Sequence, residues 1–147
     1  MLNQNLVATG TVTINATSEQ VWNVLTTPSL IAEFLYGTET VTDWVPGHPI
    51  VFQGEYEGHK YRDAGTVLEF TPHTKIRYSY WSGFSGLPEL PENHSEIEYL
   101  LEPESTGVTK FSWIQKGYVA EANRDHTQQS MHGFLEQIKV IAEREAA

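Results

Sequence analysis

Residues 6–15 are rich in Val, Thr and Ile in alternation with polar positions, which predicts a half-buried strand. The period then lengthens. Thr17-Ser18-Glu19-Gln20 offers an N-cap with an acid and an amide in the first turn, and Val21, Trp22, Val24 and Leu25 follow at helical spacing. Pro28 ends that helix, and residues 29–34 predict a second short one, with Leu30, Ile31, Phe34 and Leu35 on neighbouring positions and Gly37 just beyond its end. From Glu39 onward the period falls to two. Turn residues at Pro46-Gly47-His48-Pro49, Glu57-Gly58-His59 and Thr71-Pro72-His73-Thr74 punctuate the runs. The predicted strands are 39–44, 50–56, 60–70, 75–81, 94–101 and 109–116, an antiparallel meander whose last turn is Pro103-Glu104-Ser105-Thr106-Gly107.

The last thirty residues return to a helical period. At about 100° per residue, Arg124, Thr127, Met131, Phe134, Leu135, Ile138, Ile141 and Ala142 share one face. From Met131 onward this stripe is wholly apolar, as expected of a helix seated on a packed core. Its first two turns present Arg124 and Thr127, so something other than hydrocarbon is expected to face them. Gly133 falls on the outer side.

Strand parity picks out the face on which such a helix would rest. Ile76, Tyr78 and Tyr80 share one side of their strand, Ile97, Tyr99 and Leu101 one side of theirs, and Phe111 and Trp113 one side of the last. The same rule adds Phe52, Tyr56, Leu68 and Phe70, giving an unusually aromatic inner surface. A buried Tyr or Trp needs a partner for its polar tip. Tyr56, Tyr78, Tyr80, Tyr99 and Trp113 therefore imply either an aromatic core with satisfied hydroxyls or a cavity whose wall completes itself with water or a ligand. Residues 82–93 make a long connection for a hairpin, with Phe84, Leu87 and Leu90 set among Gly83, Gly86, Pro88 and Pro91. This is the composition of a cavity lid, or of a loop packed on its own strands.

The order of one strand, two short helices, a six-strand meander and a long final helix resembles the helix-grip fold of the START and polyketide-cyclase superfamily (SRPBCC), over nearly the whole chain. Within it, Ala16-Thr17-Ser18-Glu19-Gln20-Val21-Trp22 is similar to the start of the first helix in the branch named for the activator of heat-shock protein 90 ATPase. Val41-Thr42-Asp43-Trp44-Val45-Pro46-Gly47, Gly65-Thr66-Val67-Leu68-Glu69-Phe70 and Ile76-Arg77-Tyr78-Ser79-Tyr80-Trp81 resemble its central strands. His132-Gly133-Phe134-Leu135-Glu136-Gln137-Ile138-Lys139 resembles its last helix. Gly47-His48-Pro49 stands where members commonly have a glycine pair, so a differently shaped turn is expected there. The resemblance implies an α+β helix-grip domain over residues 1–147, with about seven antiparallel strands wrapped around the C-terminal helix, and a capacity to bind small apolar molecules between them. It also leaves open a chaperone partner, although eukaryotic co-chaperones of this branch carry a separate N-terminal domain for which 147 residues leave no room.

Composition narrows the chemistry. Nineteen acidic against nine basic residues give a formal charge of −10, which repels phosphate backbones and anionic lipid, so neither nucleic acid nor a membrane surface is an expected partner. There is no Cys, which excludes disulfides and thiol catalysis and fits a reducing, cytoplasmic setting. The N-terminus reads as neither a signal peptide nor a membrane span. The six His, at 48, 59, 73, 94, 126 and 132, have no i, i+4 pair, so no metal is expected, and no motif calls for a cofactor. His126 and His132 are expected to face solvent. Gly83-Phe84-Ser85-Gly86-Leu87 has the wrong spacing for a nucleophile elbow.

The candidate cavity residues are thus Phe52, Tyr56, Phe70, Tyr78, Tyr80, Tyr99, Phe111, Trp113, Arg124, Thr127 and Met131, with Phe84, Leu87 and Leu90 as a lid. Arg124 would either fork onto a ligand carboxylate or carbonyl beside Thr127, or pair at the surface with Glu121 or a neighbouring strand. The expected function is binding of a small hydrophobic or aromatic molecule. Two alternatives stand beside it: a cyclase, aromatase or hydrolase-like enzyme using Glu33, Asp63 or Glu69 near a tyrosine, or a co-chaperone-like regulator.

Overall fold

Seven strands form one antiparallel sheet in the order β1-β7-β6-β5-β4-β3-β2, so every neighbour is sequential except β1, which closes back onto β7. The computed structural model describes residues 2–147. Its elements are β1 (Asn3–Ile14), α1 (Ser18–Thr26), α2 (Pro28–Phe34), β2 (Glu39–Val41), β3 (Pro49–Tyr56), β4 (His59–Thr71), β5 (Lys75–Tyr80), β6 (Ser95–Ser105), β7 (Val108–Tyr118) and α3 (Glu121–Ala146). A single 3₁₀ turn, Pro91–Asn93, lies in the β5–β6 connection. This is the α+β helix-grip architecture.

Local chemistry sets the first two helices. Thr17 and Gln20 form a reciprocal capping box, with the Gln20 amide N–H donating to Thr17 Oγ1 at 3.1 Å and the Thr17 N–H donating to Gln20 Oε1 at 2.8 Å. Pro28 occupies the first turn of α2, where its missing N–H costs nothing. Val21, Val24, Leu25, Ile31 and Phe34 are essentially fully buried, so both helices close one end of the core.

Two strands depart from simple alternation. The β2 strand stops at Val41 rather than Trp44, because the Thr42 hydroxyl accepts the Trp44 N–H and the Asp43 carboxylate accepts the Val45 N–H. Trp44 is held at φ 61° and stacks on Phe70 at 5.6 Å. In β4 the register runs Val67 to Tyr78 and then Glu69 to Arg77, so Leu68 is an extra residue. The bulge resets the faces: Val67 is fully buried and Leu68 exposed, which corrects the assignment of Leu68 to the inner surface. Where β4 crosses from β3 to β5, a Cβ on Gly65 would sit 1.7 Å from the Ser79 carbonyl oxygen, so only glycine permits that approach.

The long helix runs along the edge of the sheet. Met131, Leu135, Ile138, Ile141 and Ala142 are buried. Each of the four large ones contributes about 1.5–3 kcal/mol by leaving water. Gly10 on β1 lets the helix come close, since a Cβ there would lie 2.7 Å from Leu135 Cδ1 and 3.2 Å from Met131 Sδ. Polar side chains of α3 also occupy the outward backbone groups of β1. Gln128 both accepts the Thr9 N–H at 3.0 Å and donates to the Thr9 carbonyl at 2.6 Å. Lys139 donates to the Thr13 carbonyl at 2.8 Å and Glu143 accepts the Asn15 N–H at 2.9 Å. A sheet edge that would otherwise template another strand is covered by its own helix. No helix among the described residues is long and apolar enough to cross a membrane.

Candidate functional site

A cavity of about 850 Å³ lies between the inner face of the sheet and residues 122–134 of α3. Its wall begins with the alternation of the central strands: β3 contributes Phe52, β5 Tyr78 and Tyr80, β6 Ile97 and Tyr99, and β7 Trp113 and Gln115. These side chains contact one another in series. Phe52 lies 5.6 Å from Tyr78, Tyr78 5.8 Å from Tyr99, Tyr99 4.9 Å from Trp113, and Trp113 5.6 Å from Phe134 on the helix. The mouth is formed by Tyr36 after α2, Phe84 in the β5–β6 loop and Val119 before α3, all strongly exposed.

Of the residues expected from sequence, Phe52, Tyr78, Tyr80, Tyr99, Trp113, Thr127, Phe84 and Leu87 line this cavity. The others are elsewhere. Tyr56 shares the parity of Phe52 but lies at the end of β3 and is 63% exposed. Phe70 lies past the bulge and packs on Trp22 at 5.0 Å, and Phe111 is fully buried in the core beside Tyr99 at 5.7 Å. Met131 is spent on the close approach over Gly10. Arg124 is not part of the lining: its Nε donates to Asp125 at 2.7 Å rather than to Glu121, although its charge acts on the Tyr118 hydroxyl. Leu90 is outside the cavity and partly exposed.

The β5–β6 loop is tied to its strands. The Trp81 indole donates to the Leu87 carbonyl at 3.0 Å, Asn93 Nδ2 donates to the Pro88 carbonyl at 3.0 Å, and Arg62 reaches Glu89 at 3.1 Å. The Phe84 ring sits 5.4 Å from Tyr61.

Three carboxylates stood near tyrosines in the sequence, and the fold separates them. Glu69 pairs with Arg77 on the outer face, and Glu33 takes a bidentate pair from Arg144 at the surface, at 2.7 and 3.0 Å. Asp63 alone enters the cavity, 9% exposed. Its Oδ2 accepts the Tyr80 hydroxyl at 2.6 Å and its Oδ1 accepts the Gly83 N–H at 2.7 Å. Tyr78 and Tyr99 share a buried hydroxyl contact at 2.9 Å. Burial pushes the phenols of Tyr78, Tyr80 and Tyr99 far above the usual tyrosine range, and the negative charge of Asp63 adds to the effect on Tyr80. All three are neutral donors and acceptors at physiological pH.

Two wall groups have no protein partner. The Trp113 indole N–H and the Tyr118 hydroxyl are both buried without a hydrogen bond; Thr127 is close to the Tyr118 hydroxyl, but not in bonding geometry. A buried indole or phenol is ordinarily satisfied, so these are sites for water or ligand.

Some lining residues escaped the sequence reading. Gln115 follows Trp113 by parity and needed only a two-residue extension of the same rule. Tyr118 enters because Gly117, at φ 102°, turns the chain out of alternation. His126 and Ser130 are exposed yet border the opening, and Tyr36 and Thr38 arrive on a turn with Tyr36 at φ 53°; no periodicity marks them. Among the described residues no cluster of His, Cys, Asp and Glu could hold a metal.

The comparisons with known proteins agree with this geometry. The protein ChR145 from Cytophaga hutchinsonii, known from a solution structure, is 34% identical and superposes with a TM-score of 0.82, covering 97% of each chain. CalU16 from Micromonospora echinospora is 19% identical with a TM-score of 0.72, covering 95% of this chain and 77% of its own. The Aha1 dimer from Colwellia psychrerythraea is 16% identical with a TM-score of 0.71, covering 96% of this chain and 98% of its own. At such identities the last two share the fold alone. No curated protein matches the sequence. The family described as "Activator of Hsp90 ATPase homolog 1-like protein" matches residues 15–143, from the loop before α1 to the last turns of α3. With that match spanning the strands β2 to β7 and the helix that enclose the cavity, the chain belongs to the Activator of Hsp90 ATPase homolog 1-like family.

Proposed function

We propose that this protein binds a small hydrophobic or aromatic molecule in the cavity between its sheet and α3. The observation that carries the reading is the pairing of volume with unfinished chemistry. A space of about 850 Å³ falls in the range of small-molecule sites, and its aromatic wall contains a buried indole N–H and a buried phenol with no protein partner. A core selected only for stability would fill such a space, because each unfilled gap forfeits dispersion contacts.

Titration of the protein with naphthylmethanol, followed by thermal unfolding, tests this. Saturation at a hundredfold over Kd stabilises a single site by about 2.7 kcal/mol, a rise in Tm of about 5–10 °C for a chain of this size. Thr127→Trp fills the space under the helix and should abolish the rise. No shift with naphthylmethanol or with a broader panel of fused-ring and aliphatic probes would refute the reading.

A second reading, regulation of a heat-shock protein 90-type ATPase, is favoured by the family's description and by the net charge of −10, which suits a basic docking face. Stimulation of such an ATPase by this chain, weakening as salt rises, would support it; no stimulation at low salt would remove it.

A further inference from the structure

Resting on the ligand-binding reading, we infer that the cavity selects a cationic ligand: an aromatic or hydrophobic amine whose ammonium is held by Asp63 and the aromatic faces around it. Asp63 lies directly opposite Phe52 in the β3–β4 register, so the two side chains are cross-strand neighbours on the inner face. Phe52 is 6.1 Å from Tyr80 in an edge-on arrangement. A carboxylate is thus set in an aromatic enclosure, the arrangement that binds ammonium groups by charge and by attraction to ring faces.

The hydrogen-bond inventory points the same way. A carboxylate offers about four lone-pair positions, and the Tyr80 hydroxyl and Gly83 N–H occupy two of them. The Tyr80 proton is committed to Asp63 and the Ser82 side chain stands against the same hydroxyl, so the open acceptor positions at this end of the site are those of the Asp63 carboxylate, and they call for a donor. Among the described residues Asp63 has no salt-bridge partner, and neither Lys nor Arg lines the cavity. Arg124, the one cation that sequence placed near a ligand, is bonded to Asp125. A buried carboxylate without a counter-ion is costly, and a ligand ammonium would relieve that cost where a ligand carboxylate would add to it. The net charge of −10 also raises the local concentration of cations over anions.

The test compares three ligands of nearly equal shape, naphthylmethylamine, naphthylmethanol and naphthoate, by isothermal titration of the full chain at neutral pH. The amine should bind about tenfold or more tightly than the alcohol, with naphthoate weakest. Asp63→Asn should bring the amine-to-alcohol ratio to about one. Equal binding of amine and alcohol to the unaltered protein, or a preference that survives in folded Asp63→Asn, overturns the inference while leaving the ligand-binding reading intact. If none of the three binds, the inference falls, and the ligand-binding reading falls with it only when the broader panel of fused-ring and aliphatic probes also fails to bind. Because the ratio is read first on the unaltered protein, a poorly folding variant does not remove the test; higher salt should then shrink the amine's advantage and leave the alcohol's affinity steady, and an advantage indifferent to salt overturns the inference.

Discussion

Over residues 131–142, α3 buries Met131, Leu135, Ile138, Ile141 and Ala142; over residues 121–130 only Arg124 and Thr127 are even half-buried, and the helix there borders the cavity. Both halves are regular helix, and both are tied to the β1 edge, the first through Gln128 and the second through Lys139 and Glu143. What separates them is the absence of apolar cover in the first ten residues. A helix can therefore be held in place by one half while the other leaves space beneath it, and stability and binding can be altered independently.

The largest break in that division is Ile138→Ala. Ile138 is fully buried, so its loss should cost about 2–5 kcal/mol in denaturant unfolding, with affinity for naphthylmethanol unchanged in the folded protein. A cost below about 1 kcal/mol would mean that the second half is not the anchor. Gly10→Val comes next. Its Cβ would lie 2.7 Å from Leu135 Cδ1, and overpacking of this kind costs about 1–3 kcal/mol. Gly10→Ala should cost less, because the nearest atoms are the ends of flexible side chains.

The same division explains what could be read from sequence. The apolar stripe gave the seat of α3 correctly, because burial against a sheet demands one face at helical period. Parity likewise placed Tyr78, Tyr99 and Trp113, since a regular ladder fixes alternate faces. It failed for Leu68, where the bulge adds one residue, and it put Tyr56 on the right face but beyond the core. Arg124 misled because position on a helix face does not say which neighbour the guanidinium meets, and Asp125 is one residue away. Asp63 was recognisable only as one of three carboxylates near tyrosines. Its selection depends on β3 and β4 register and on a loop amide at Gly83, neither of which leaves a periodic trace.

A smaller effect isolates the edge contact of the first half. Gln128→Ala removes both bonds to Thr9, whose backbone groups can turn to water at this exposed position. The expected cost is at the low end of about 0.5–1.5 kcal/mol, with faster hydrogen exchange at the Thr9 amide and little change elsewhere. Global acceleration of exchange would show that the two halves of the helix are not separable.

The smallest effect near neutral pH is the response of the anchored end of α3 and of the cavity wall on the sheet to opposite extremes of pH. Glu143, on the anchoring half, has its carboxyl held below the ordinary 4.5 by Lys139 and by the Asn15 N–H. The unfolded chain takes up that proton first as pH falls, so this contribution is complete above about 4.5 and is lost as pH drops through the lower folded value. The cavity tyrosines behave in the reverse sense. Tyr78 and Tyr99 are raised above the ordinary 10.0, chiefly by burial, so above that pH the unfolded chain sheds protons that the folded chain retains. Their contribution is full below about 10 and declines as pH rises. Unfolding free energy should therefore be flat from these groups between about 5 and 9, fall in acid by a component that Glu143→Gln removes, and fall in alkali by one that Tyr99→Phe reduces. Phenolate absorbance should appear for Tyr78 and Tyr99 only with unfolding. Its appearance in the folded protein near 10 would mean that water reaches the cavity floor freely, and that burial does not hold these hydroxyls neutral.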